Sequence, residues 1–307
     1  MGRGWRTPAS WLFGVAILVA VVWLMDGLDR KIVDDLVSAE VIFLWVTLTL
    51  LVRVLQVEIL VRPVRALGGS ISRWEAFWLG WARSFLNQIV PMSGLAYFAA
   101  VLRNRSRITW SQIASLTFPL FMLGMLASTF FGAIVTPFAL DMDDPFDWML
   151  LGLFTAALGS AAVVVWGGRA SMTILVRRIP RLRMAQEALS VLQQRKRLFV
   201  LVLVLQFLTV LLRAARLHVL FEAVIEGPTI GTTAFLSALG ELGFLMQLTP
   251  AGMGIREIAM AAGAVLEGAD VDLVLTVSVA ERILIVLITA IAAMPAFWYL
   301  RKTHRRN

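Results

Sequence analysis

Eight apolar stretches divide the chain, near residues 11–25, 41–61, 74–102, 110–138, 148–168, 198–221, 233–266 and 272–298. A helix needs about 20 apolar residues to cross the hydrocarbon core of a bilayer, and most of these stretches reach that length. One water-facing core has no room for them all. Of the 307 residues 59% are hydrophobic and 16% are charged, whereas soluble domains carry roughly 25% charged residues. The expected fold is an all-α polytopic membrane protein, a single integral membrane domain over residues 1–307. The first stretch is short, but no small-residue cleavage site follows it at Asp26-Gly-Leu-Asp29. It is therefore expected to be a span and not a signal peptide.

The connecting segments sort by sign. Arg3 and Arg6 precede the first stretch, and Asp26, Asp29, Asp34, Asp35 and Glu40 dominate the loop after it. The positive-inside rule then places the N-terminus in the cytoplasm. The second span returns to Arg62, Arg65 and Arg73 on the inside. Stretch 74–102 breaks simple alternation, because Arg103, Arg105 and Arg107 follow it and both flanks are basic. A re-entrant hairpin resolves the conflict. Its tip is expected at Ile89-Val-Pro-Met-Ser-Gly94, where Pro91 removes a helix donor and Gly94 permits a sharp turn. Span 110–138 then leads to Asp141, Asp143, Asp144 and Asp147 outside, and span 148–168 returns.

Residues 169–197 form the main basic loop, with eight Arg and Lys side chains and a second half suited to an amphipathic surface helix. Span 198–221 crosses to Glu222 and Glu226. Stretch 233–266 has like charges on both sides, now acidic, with Glu267, Asp270 and Asp272 after it. It reads as a second re-entrant hairpin, entering from the opposite face with its tip at Leu248-Thr-Pro-Ala-Gly-Met-Gly254. The last span returns to Arg301, Lys302, Arg305 and Arg306, so both termini are expected on the cytoplasmic side of an inner cell membrane. Twenty of the 28 basic residues fall on that side and only two outside. The net charge of +8 thus records orientation, and nucleic acid is not an expected partner.

The two hairpins give the chain an internal plan. Residues 41–138 form one repeat and 198–298 a second of opposite orientation, with two additional spanning helices outside them. Leu86-Asn-Gln-Ile-Val-Pro91 matches Leu245-Met-Gln-Leu-Thr-Pro250 with Gln88 and Gln247 in register, and Arg53 precedes Pro91 by 38 residues as Arg213 precedes Pro250 by 37. Inverted repeats with broken helices meeting near the midplane are a transporter plan. Bare backbone at such tips persists in a membrane only inside protein or against a wet cavity.

Absent residues narrow the chemistry. With no Cys and only His218 and His304, thiolate sites, His-based metal centres and catalytic triads have almost nothing to work with. No nucleotide-binding motif occurs, and no metal, cofactor or catalytic residue is expected. His218 reads as an ordinary interfacial histidine, and the 11 Trp suit interfacial belts.

Ten ionisable residues lie within the apolar stretches: Arg53, Glu58, Arg83, Arg213, Arg216, Glu241, Arg256, Glu257, Glu281 and Arg282. Each costs roughly 2.5 kcal/mol or more near a helix centre, so most are expected to face inward and find a partner. Glu58 and Arg216 are expected to snorkel from span ends, and Arg83 to pair with Glu241 between the repeats. Adjacent Glu281 and Arg282 cannot share a helix face and must seek different partners. Glu257 favours the N-terminus of the second half-helix, where it either caps the helix or touches substrate. The expected site for an anionic lipid head group comprises Arg53, Gln88, Pro91, Gly94, Arg213, Gln247, Pro250, Gly252, Gly254, Arg256, Glu257 and Arg282, because arginine presents a planar fork to phosphate. Glu241, Glu257 and Glu281 are the candidate proton carriers.

Leu248-Thr-Pro-Ala-Gly-Met-Gly-Ile-Arg-Glu257 followed by Ala280-Glu-Arg282, together with Asn87 and Pro91 to Leu102, resembles the lysylphosphatidylglycerol synthase transmembrane-domain family, also called UPF0104 membrane proteins. The resemblance implies a flippase-like domain, which in multidomain members moves an aminoacylated phospholipid between leaflets. Stand-alone members are associated with envelope lipid or glycolipid pathways. Leu95, Tyr97, Phe98 and Phe118-Pro119 stand where the family pattern is charged, so the first half-site is expected to be less polar. The chain ends at Asn307 without a soluble transferase domain, and lysyl transfer is not expected from it. The leading expectation is a transporter, not an enzyme: a translocase for a phosphate-bearing envelope lipid such as a phospholipid, an aminoacyl-phospholipid or a polyprenyl-phosphate-linked lipid. The alternatives are an intramembrane transferase with Glu257 as its base, and a scaffold holding a lipid or glycolipid biosynthetic enzyme through loop 169–197.

Overall fold

The computed structural model describes residues 36, 38–90, 92–106, 108–140, 142–166, 194–225, 227–245 and 255–304. The first apolar stretch, nearly all of loop 169–197 and the second hairpin tip lie outside the described residues. Among those described there are helices and no strand: α1 (Ala39–Ala66), α2 (Arg73–Ile89), α3 (Ser93–Ser106), α4 (Trp110–Ala139), α5 (Pro145–Trp166), α6 (Lys196–Val224), α7 (Ile230–Leu245), α8 (Ile255–Leu266) and α9 (Val271–His304). Five segments, Ala39–Ala66, Gln112–Ala139, Pro145–Val165, Lys196–Val224 and Val271–Lys302, are long and apolar enough to cross a membrane. The protein is an all-α, multi-pass membrane protein.

Local chemistry sets the helix ends. Ser72 and Glu75 form a capping box at the start of α2, and Thr109 and Gln112 form one at the start of α4. Helix α1 closes on Gly68 at φ +83, where the Gly69 amide reaches back to the Val64 carbonyl at 3.0 Å. Gly268 at φ +65 ends α8 in the same way.

Stretch 74–102 folds as two antiparallel helices, and the break falls at the expected tip. Helix α2 stops at Ile89 and α3 starts at Ser93, with Met92 in the left-handed region at φ 63. The turn is held by side chains: the Ser93 hydroxyl donates to the Leu86 carbonyl at 2.7 Å, and the Gly94 amide donates to Asn87 Oδ1 at 2.8 Å. A Cβ on Gly94 would collide with the Arg83 carbonyl and lie 2.5 Å from Asn87 Oδ1. Gly94→Ala is therefore expected to cost about 1–3 kcal/mol of stability through overpacking, read as a lower melting temperature in detergent. An unchanged melting temperature would show that the tip yields without cost.

Helix α9 serves as a ruler for both hairpins. Helices α2 and α3 pack on its later half, through Gln88 on Thr289 at 2.8 Å, Tyr97 on Phe297 with ring centres 5.8 Å apart, and Arg105 on the Leu300 carbonyl. Helix α8 packs on its earlier half, through Ser278 on Met260 and Arg282 on Glu257. Glu281 and Thr289 are eight residues apart, which is about 12 Å along a helix rising about 1.5 Å per residue. The described part of each hairpin therefore reaches only to the middle of α9. The packing pairs exchange between the two sets of four helices: α4 packs on α7 as α9 packs on α2, α1 on α2 as α6 on α7, and α3 on α4 as α8 on α9, while α1 and α6 pack on each other. Helix α5 packs on α4 outside this scheme.

Helix directions gather Arg62, Arg65, Arg73, Arg103, Arg105, Arg301 and Lys302 at one end of the bundle. Exposed Trp110 and Trp298 lie there under Arg103 and Lys302 at 5.1 and 4.9 Å. Glu40, Asp143, Asp144, Asp147, Glu222, Asp270 and Asp272 gather at the other. Glu267, in the turn after α8 at that acidic end, has one carboxylate oxygen buried without a hydrogen bond. Burial pushes its carboxyl from about 4.5 up to about 7, against the opposing hydrogen bond from Thr232. Between those values the folded protein keeps a proton that the unfolded chain releases, so stability falls as pH rises through that window. Glu267→Gln is expected to flatten the loss of thermal stability between pH 5 and pH 8, and identical pH profiles would contradict this.

Candidate functional site

The site is built on α1, α6, α9 and the two hairpins. Arg53 of α1 lies against α2, donating to Ser84 and to Gln56 of its own helix, each at 3.0 Å. Its guanidinium stacks on the Trp81 ring at 4.2 Å. Gly80 makes this approach possible, since a Cβ there would lie 2.9 Å from Arg53 Nη1. Arg83, also on α2, sits over the Phe98 ring at 5.1 Å. Among the described residues no carboxylate pairs with Arg53 or Arg83.

The second hairpin is different in kind. Arg213 of α6 donates to Glu241 of α7 at 2.6 Å. Arg216 donates twice to one oxygen of Glu281, at 2.8 and 3.1 Å, while Arg256 takes the other oxygen. Trp45 and Thr49 of α1 cover Arg216 from the far side. Arg282 donates to Glu257 at 2.7 Å, and Glu257 stands in the first turn of α8. Gly240 lies against the Arg256 side chain as Gly80 lies against Arg53. These charges form one field: Arg53 feels Arg213, Arg83 and Arg216, and Arg256 feels Glu281, Glu241 and Glu257.

Several expectations are corrected. Arg216 does not snorkel; it is buried, because α6 runs on to Val224 and α1 and α9 close over it. Arg83 does not pair with Glu241, which Arg213 occupies from the neighbouring α6. Glu58 does reach outward, to Arg62 and Arg73 at the basic end. Glu281 and Arg282 take different partners, as their adjacency requires. Of the four expected phosphate ligands, Arg213, Arg256 and Arg282 each hold one of the three candidate proton carriers, and Arg53 holds only neutral groups. Gln88 is buried against Thr289. Pro91, Gln247, Pro250, Gly252 and Gly254 lie outside the described residues. His218 lies 2.9 Å from Thr233 and 3.5 Å from Glu222 near the acidic end.

Trp81, Ser84, Gly80, Gly240 and Thr289 were not expected at the site. One signal for the glycines stands in the chain: Leu79-Gly80 and Leu239-Gly240 fall at nearly equal distances before the two tip prolines.

The family model described as lysylphosphatidylglycerol synthase TM region fits residues 11–293, from the first apolar stretch into α9. Among curated proteins and among solved structures nothing matches.

Proposed function

Because the chain belongs to the family of the lysylphosphatidylglycerol synthase TM region, we propose that it moves a phosphate-bearing envelope lipid between the leaflets of the inner cell membrane. The observation that carries this reading is a charge imbalance. Inside the bundle six arginines (Arg53, Arg83, Arg213, Arg216, Arg256 and Arg282) face three carboxylates (Glu241, Glu257 and Glu281). The undescribed apolar segments 11–25 and 246–254 contain no acidic residue that would restore the balance. An arginine at a helix centre costs roughly 2.5–3.5 kcal/mol on insertion scales, so unbalanced ones mark a place that an anion visits. Phosphate is the anion at hand in a membrane, and guanidinium groups bind it as a fork.

The hairpins supply the route. Helices α2–α3 enter from the basic end, read as cytoplasmic, and α7–α8 from the acidic end, and their described residues meet α9 near its middle. A head group then crosses between the tips while its acyl chains stay in the bilayer. With no nucleotide motif, movement runs downhill or with protons carried on Glu241 or Glu257.

The test uses proteoliposomes with two fluorescent lipids, one bearing an anionic phosphate head group and one an uncharged sugar head group. Selective movement of the first is the expected result, and equal movement of both would contradict the reading.

A further inference from the structure

We propose that the lipid phosphate seats on Arg53 and takes Arg213 away from Glu241, which makes Glu241 the displaceable counter-ion of the site. The inference rests on the translocase reading and names where the charge is held and what leaves to admit it.

Three observations converge. Among the described residues Arg53 is the one cation of the expected clamp whose partners are all neutral, and the hydrogen bonds to Gln56 and Ser84 engage only part of its fork of five donors. Arg213 is a neighbouring like charge: α1 and α6 pack on each other, Arg216 reaches Thr49 at 3.5 Å, and Arg53 and Arg213 each stand about one turn further toward the basic end from that contact. One oxyanion between them relieves that repulsion and answers both forks. Finally, Glu281 is held more firmly than Glu241 and Glu257, which are each 15% exposed, and of those two Glu241 is the one paired with Arg213. Glu281 is gripped from two sides and 1% exposed, whereas among the described residues Glu241 has one ion pair, to Arg213, and is 15% exposed.

When the phosphate takes Arg213, Glu241 is left to Arg256; when the phosphate leaves, the Arg213–Glu241 pair reforms. Glu241 faces Arg213 from α6 and Arg256 from α8, and α4, which also packs on α7, has no charged residue.

Trp81 under Arg53 supplies a reporter. Purified protein in neutral detergent is titrated with dihexanoyl phosphatidic acid, and Trp81 fluorescence is isolated by subtracting the Trp81→Phe protein. Calorimetry on the same samples gives the affinity independently of that variant. A saturable fluorescence change is expected, absent with a dihexanoyl glycerol that lacks the phosphate. Arg53→Met is expected to weaken binding at least about tenfold, the effect of one charged hydrogen-bonding group. Glu241→Gln, which removes the competitor, is expected to tighten binding about tenfold. Inorganic phosphate is expected to compete only at much higher concentration, and equal affinity for free phosphate overturns a lipid seat. Unchanged binding in Arg53→Met, or unchanged or weaker binding in Glu241→Gln, overturns the proposal. If wild-type protein moves lipid while these variants bind normally, the seat is wrong and the translocase reading stands. If the binding shifts appear and no lipid moves, the seat stands and the translocase reading fails.

Discussion

Glu281→Ala is expected to lower stability by about 3–5 kcal/mol, the cost of breaking a buried ion pair by removing one partner. The carboxylate is 1% exposed, and it is the shared anion of Arg216 and Arg256, which come from α6 and α8. Without it two buried guanidinium groups repel each other, and the other carboxylates inside the bundle, Glu241 and Glu257, are already paired with Arg213 and Arg282. The variant is expected to melt far below the wild type in detergent. Removing the stranded charges as well, in Glu281→Leu with Arg216→Met and Arg256→Met, should recover much of the loss, because a buried ionic cluster replaced by apolar groups is often neutral or stabilising. A wild-type melting temperature for Glu281→Ala would mean that the triad does not hold α6, α8 and α9 together.

Arg53→Met is expected to do the reverse, removing function while sparing the fold. The side chain has no carboxylate partner among the described residues, so its loss strands no charge. The methionine removes a desolvation cost and still packs on Trp81, and stability should be unchanged or slightly higher. Lipid movement should fall by about 10- to 100-fold, since a hydrogen bond to a charged group contributes about 1.5–3 kcal/mol. The opposite responses at Glu281 and Arg53 separate charges that hold the bundle from a charge kept for a ligand. Loss of stability in Arg53→Met comparable to that in Glu281→Ala would erase the distinction.

Much of the fold was legible in the sequence because hydropathy and charge sign are properties of whole segments. Span 198–221 corresponds to α6 and span 272–298 to α9, each observed to extend a few residues further. The α2–α3 break could be read from like-signed flanks together with Pro91 and Gly94. Pairing was less legible, because it depends on which helices touch. Arg216 reads as a residue near a span end only while α1 is left out; Trp45 and Thr49 of α1 turn its surroundings into an interior. Arg83 and Glu241 hold corresponding places in the two hairpins, but correspondence is not contact. Helix α2 packs on α1 and α9, and α7 packs on α6 and α4, so each residue meets its own neighbours. The asymmetry between a neutral surround for Arg53 and an acidic one for Arg213 was likewise hidden, since both lie in similar apolar helices at matching distances from a proline.

The decisive measurement is lipid movement in vesicles carrying a fluorescent phosphatidylglycerol, bleached from outside by a membrane-impermeant reductant, with wild-type and Arg53→Met proteins reconstituted side by side at equal density. The wild type should expose inner-leaflet label that empty vesicles protect, and the Arg53→Met vesicles should behave nearly as empty ones do. Bleaching by the wild type no greater than in empty vesicles, or equal bleaching by both proteins, would contradict an arginine-held passage for a lipid phosphate.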